Sequence, residues 1–285
     1  MNQASREYVM DYQIVMAVAA QETSINVRNR WTLIFALVFG VLALAISYFG
    51  LATAAVAGFQ GFTRTCASLL NLVLYLVPIV ALTMATVGFT GEANTSQLLF
   101  SQPVTRSEIL MGKILGLSIS VVVATMGGFG LAGLVIASRI GTQGLARYLA
   151  FVGLAIILEI IFLSLGAMVA ILTGKKSKAF GLSLFVWFFF VLFYDLLVIG
   201  LAFVFKERTA NLLIFLSLFG NPVDMVRVSS LITLNGPSIF GAAGAALMKF
   251  LGGPWNANLA LLLGLFLWIA GPLIIAARAL RRQDI

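Results

Sequence analysis

Few side chains in this sequence of 285 residues have the types and spacing that chemistry needs. Histidine is absent, which removes imidazole from proton transfer and from metal ligation. The one cysteine, Cys66, excludes an intrachain disulfide or a CxxC site. The run Gly174-Lys175-Lys176-Ser177 approaches a phosphate-binding loop, but Val169 stands where the leading glycine is required and Lys176 replaces the hydroxyl. Two carboxylates, Glu159 and Asp195, stand inside long apolar runs, where an acid costs about 2.5 to 3.5 kcal/mol on insertion scales. They suit a polar path or a proton-sensitive hinge; alternatively each is protonated or bonded to Ser164, Ser183 or Tyr194. As an acid pair they would define an intramembrane enzyme, but no HExxH or other paired motif supports one. Copper(I) needs at least two soft donors in reach, and Met84, Met126 and Met168 fall in three different apolar runs. The sequence predicts no metal site and no catalytic residue in this chain.

Those acids need a scaffold, and the composition says of what kind. The chain is 61% hydrophobic and 10% charged, with a mean hydropathy of +1.07. A soluble domain carries about 25% charged residues, so the bilayer is the solvent here. Six apolar stretches approach the ~20 residues that cross a membrane as helix: 31–51, 69–89, 114–137, 149–172, 180–205 and 259–277. The expectation is an all-α integral membrane protein of one domain, 1–285, without a cleaved leader, since charges interrupt the first thirty residues.

Six spans put both ends on one side, and basic residues choose which. Of 18 Lys and Arg, 11 fall on one side: Arg6, Arg28, Arg30, Arg106, Lys113, Lys175, Lys176, Lys178, Arg278, Arg281 and Arg282. The positive-inside rule makes that side cytoplasmic, with N and C termini in. The net charge of +8 is thereby explained without nucleic acid, for which no basic stretch interleaved with aromatics exists.

Three pieces lie outside the spans. Residues 4–29 place Tyr8, Tyr12, Val15, Ala19 and Glu22 at helical spacing, with Tyr8, Val15 and Ala19 suited to an apolar stripe of an interfacial helix. The loop 90–113 contains GEANTSQLLFSQPVTRSEILMGK, in which Pro103 ends one helix and Ser107 can cap the next from Glu108. Its exposed Leu98, Leu99 and Phe100 either seek a partner or tuck against the protein's own helix ends. The outer segment 206–258 is too long for a bare connector and reads as short helices lying in or dipping into the outer leaflet, with a turn at Gly220-Asn221-Pro222. Glycines at 112, 116, 127, 128, 130, 241 and 244 offer small faces for close helix packing.

The interfacial helix ending in RNR, Gly91-Glu92 after the second span, the pattern from Leu98 to Lys113 and the six spans together resemble the ABC-2 type permeases over most of the chain. The resemblance implies the ABC-2 exporter fold with an elbow helix, a homodimer, and a separate cytoplasmic ATPase subunit that carries ATP and Mg. It makes 90–113 the coupling loop, with Glu92, Leu99, Phe100, Gln102, Pro103, Val104, Arg106, Glu108 and Lys113 as ATPase-coupling residues. Lys175, Lys176 and Lys178 then suit a second cytoplasmic contact. The phrases FGNPVDMVRVSSLITLNGP and FGAAGAALMKFLGG narrow the resemblance to the NosY-type branch. That implies a bacterial inner-membrane permease working with a NosD-like periplasmic partner in maturation of the copper enzyme nitrous oxide reductase. Asn221, Pro222, Asp224 and Arg227 become the partner-facing or gating residues, exposed to the periplasm. The alternative within transport is an exporter of a lipid, drug or other hydrophobic substrate.

Overall fold

The computed structural model describes residues 11–57, 61–90, 105–141, 144–205, 213, 215–235 and 252–282. Every element there is helical. They are α1 (Tyr12–Val27), α2 (Arg30–Ala57), α3 (Gly61–Thr90), α4 (Arg106–Ile140), α5 (Leu145–Thr173), α6 (Lys176–Phe188), a π-helical turn at Phe189–Phe193, α7 (Tyr194–Val204), α8 (Pro222–Asn235) and α9 (Pro254–Arg282). Six segments are long and apolar enough to cross a membrane: Arg30–Phe49, Ser68–Thr90, Arg106–Arg139, Leu145–Thr173, Lys176–Val204 and Trp255–Arg282. These overlap the six expected stretches: all start earlier, and all but the first and fifth, which stop at Phe49 and Val204, end later.

The third span shows why an end shifts. Apolarity begins at Ile114, yet α4 starts eight residues earlier, because Thr105 and Glu108 form a capping box in which each satisfies the other's backbone N–H. The expected cap, Ser107, has Leu110 three residues on and no acid to close such a box. Thr105-x-x-Glu108 does, and it takes the helix start. Cys66, three residues before the expected second span, is buried inside α3.

The fourth span is the axis of the bundle, mostly buried where the fifth is mostly exposed. Around α5 pack α3, α4, α8 and α9. Near its start, Phe39, Phe129, Tyr148 and Phe151 interlock edge to face, and the Tyr148 hydroxyl donates to the Phe129 carbonyl at 2.6 Å. Small residues set the closest approaches. A Cβ on Gly128 would lie 2.6 Å from the Phe39 ring, and one on Gly166 would lie 2.9 Å from the Leu82 carbonyl oxygen. Gly127 and Gly130, expected to serve the same purpose, have nothing within 4 Å. Gly241 and Gly244 lie outside the described residues.

The segment before α9 dips deep. Asn221 donates to the Phe190 carbonyl at 3.0 Å, and the Trp268 indole donates to the Phe219 carbonyl at 3.0 Å. Phe190 and Trp268 each stand near the middle of their spans. The turn Gly220–Asn221 therefore sits at mid-membrane height, and α8 climbs from there until Arg147, near the start of α5, meets the Leu234 carbonyl at 3.5 Å. The π turn in the fifth span lies where Asn221 takes the carbonyl of Phe190. The expected exposure of residues 221–227 is accordingly corrected. Asn221, Pro222 and Val223 are buried, because the hairpin tip must satisfy its polar groups inside the protein at that depth.

Candidate functional site

At the basic end of the bundle, the first two turns of α4 gather the ends of three other helices. The carboxylate of Glu108 is 3% exposed and uses both oxygens. Oε2 accepts the Thr105 N–H at 2.7 Å, closing the cap of α4, and Oε1 accepts the Asp11 N–H at 2.7 Å. Asp11 is the N-cap of α1, its side chain accepting from the Gln13 N–H at 2.9 Å.

Two cations do the corresponding work at helix C-termini, where the last four carbonyls lack intrahelical partners. Arg106 donates to the Leu280 carbonyl in the last turn of α9 at 2.7 Å. Lys113, 6% exposed, donates to the Gly88 carbonyl in the last turn of α3 at 3.0 Å and stands 5.6 Å from the Phe89 ring centre. A positive charge there also complements the negative end of the helix dipole. Arg281 adds a bond to the Ser107 hydroxyl at 3.1 Å. Arg106, Glu108 and Lys113 thus close four helix ends between them.

The interface between α1 and α4 continues the join. Val15, Ala19, Glu22 and Asn26 form the buried stripe of α1, so the expected stripe holds at Val15 and Ala19, while Tyr8 lies outside the described residues. A Cβ on Gly112 would lie 2.6 Å from Val18, and one on Gly116 would lie 2.6 Å from the Ala19 carbonyl oxygen. Glu22 and Asn26 bond each other at 2.8 Å, and Thr23 reaches the Gly116 carbonyl at 3.3 Å.

Of the expected coupling residues, Arg106, Glu108 and Lys113 come together here. Glu92, Leu99, Phe100, Gln102, Pro103 and Val104 lie outside the described residues. Lys175, Lys176 and Lys178 are exposed around the start of α6, just after Gly174 ends α5 in a left-handed conformation (φ 62°). Sequence reasoning missed Asp11, Thr105 and Arg281. The signal for the first two was present as an Asp and a Thr at helix starts, but their shared acid is 97 residues from Asp11.

The two membrane acids part company. Glu159 is fully buried; Thr125 donates to one oxygen at 3.4 Å and the other has no protein partner. The hydroxyls considered for these acids are engaged elsewhere: Ser164 with the Ile160 carbonyl, Ser183 with Thr86, and Tyr194 with the Ser217 carbonyl. Asp195 pairs instead with Arg227 at 3.0 Å, and the same guanidinium nitrogen reaches Asp224 at 2.7 Å. Asn221 joins the group through Asp224 at 2.8 Å. This cluster clasps α8 to the fifth span just beyond the π turn, and no hydrogen bond joins Glu159 to Asp195 as an acid pair would require.

The arrangement fastens the starts of α1 and α4 and the ends of α3 and α9 to one another. Comparison with known proteins gives the family. The family model for ABC-2 family transporter proteins matches residues 16–285. The chain is 35% identical over 280 residues to a probable ABC transporter permease protein NosY of Pseudomonas aeruginosa, covering 95% of this chain and 99% of that protein. A protein of the same description from Stutzerimonas stutzeri is 35% identical over 277 residues, covering 94% and 98%. The chain belongs to the ABC-2 family of transporter permeases and is the membrane component of an ABC transporter.

Proposed function

We propose that this permease works as a homodimer over two ATPase subunits and delivers their ATP-driven motion to a periplasmic, NosD-like partner in copper-site maturation of nitrous oxide reductase. ATP and Mg are held by the ATPase. The observation that carries the reading is the near end-to-end similarity to proteins described as NosY. The basic residues support the orientation: Arg106, Lys113, Lys175, Lys176, Lys178, Arg278, Arg281 and Arg282 share one end of the bundle, which the positive-inside rule assigns to the cytoplasm of a bacterial inner membrane.

Force rather than copper passes through this chain. The soft donors are dispersed: Cys66 is buried in α3, Met84 takes the Thr32 hydroxyl at 3.9 Å, and Met126 is 52% exposed on α4. The exporter reading has one feature in its favour, an open apolar cleft of ≈ 470 Å³ between α7 and Leu213, Leu216 and Ser217, lined also by Tyr194, Leu197 and Leu201.

A strain lacking this permease, with its ATPase and reductase genes intact, separates the two. Nitrous oxide reductase purified from it is expected to lack its copper sites and to regain them on complementation. Fully metallated reductase from that strain would sink the maturation reading and leave the exporter.

A further inference from the structure

We propose that Glu108 is a positioning residue that makes α1 and α4 move as one body, so that a push received by the loop 91–104 is passed to α1 through a cap shared by two helices. The inference deepens the coupling reading and rests on it. It differs from a role at the ATPase surface, because a 3% exposed carboxylate with both oxygens taken by the chain's own backbone has nothing to offer a partner.

The geometry carries the argument. In a capping box the third residue of a helix is an acid that reaches back to the N–H of the N-cap. In α4 that residue is Glu108, acting on Thr105. In α1 the corresponding position is Ile14, which cannot accept a hydrogen bond. The box of α1 is completed from another helix: Glu108 supplies the missing acid to the N–H of Asp11 at 2.7 Å. One negative charge thereby serves the positive dipole ends of both helices. The glycine contacts at positions 112 and 116 leave α1 and α4 no room to approach further, so a push through α4 must carry α1 along. Lys113 and Arg106 reach the ends of α3 and α9 on long flexible stems, whereas Glu108 ties two helix starts by a short side chain.

The test separates a shared cap from an ordinary one. Spin labels go on α1 at Met16→Cys and on α5 at Leu172→Cys, both exposed sites, in a Cys66→Ser background. The permease is studied in nanodiscs with its own ATPase subunit. In the otherwise unaltered chain, ATP is expected to shift the α1–α5 distance. Glu108→Gln, whose amide offers one acceptor where two N–H groups converge, should cut the shifted fraction about tenfold, the worth of one charge-assisted bond. Adding Ile14→Glu gives α1 its own acid and should restore thermal stability, yet leave the shift lost. In the unsubstituted complex the Asp11 amide should stay protected from hydrogen exchange with and without ATP.

Recovery of the shift in the Glu108→Gln, Ile14→Glu chain would show that Glu108 only caps and would overturn the inference. So would a shift unchanged by Glu108→Gln, a stationary α1 in the unsubstituted complex, or loss of Asp11 protection on ATP. Failure of the unsubstituted permease to bind the ATPase would instead overturn the coupling reading itself.

Discussion

Arg106, Glu108, Lys113 and Arg227 each meet backbone or opposite charge, and the consequence of removing such a side chain depends on what it leaves behind. Arg227 stands between Asp195 and Asp224 at 3.0 and 2.7 Å. Arg227→Gln would strand two acids beside apolar spans, whereas Asp195→Asn leaves the arginine still paired with Asp224. Removing the shared partner leaves both acids uncompensated, and neutralising one of the two acids costs less. Thermal unfolding in nanodiscs should therefore rank Arg227→Gln as clearly the less stable; equal midpoints would mean the triad does not hold α8 to the fifth span. From sequence, Asp195 and Arg227 could be read as unusual but not as partners, since 31 residues of other chain intervene and no local pattern links them.

Helices follow the sequence where one rule acts along one segment, and depart from it where a second segment intervenes. The six spans were legible because about twenty apolar residues in a row have no other solvent. The π turn at Phe189–Phe193 was not, since FFVLF carries no proline or glycine, and its carbonyl partner Asn221 arrives from a re-entrant hairpin. The dip into the outer leaflet was legible from segment length and apolarity; its depth rests on Asn221, Trp268 and the carbonyls they meet. Glycines make the same point in a form that can be measured. Gly116→Ala would put a Cβ 2.6 Å from the backbone oxygen of Ala19, with no side chain able to yield, while Gly130→Ala meets nothing within 4 Å. Overpacking costs about 1 to 3 kcal/mol and replacing an unconstrained helical glycine gains up to about 1 kcal/mol. Gly116→Ala should lower the unfolding midpoint and Gly130→Ala should hold or raise it, although the sequence presents both as equivalent small residues. A drop for both would show that Gly130 packs against a neighbour absent from the single chain, as a second copy would be.

Across the whole molecule, the division of labour follows from burial. The fourth span anchors the bundle, and the basic end fastens α1, α3, α4 and α9 through three side chains. At the opposite end, α8 reaches the start of α5 through Arg147 and meets α9 through Ser229 and Asn258 at 3.0 Å. On the proposed function, movement imposed at the basic end would be carried by whole helices to the end where the outer partner is proposed to dock. This arrangement requires the basic end to face the ATPase, and orientation is directly testable because the native thiol is silent: Cys66 is fully buried in α3. In a Cys66→Ser background, Trp255→Cys, at a site 82% exposed near the start of α9, should react in intact spheroplasts with a thiol reagent that does not cross membranes. Lys178→Cys, exposed near the start of α6, should react only after the membrane is opened. The reverse pattern would put the helix-end cluster of Arg106, Glu108 and Lys113 on the side without ATP, and coupling through α4 could not operate.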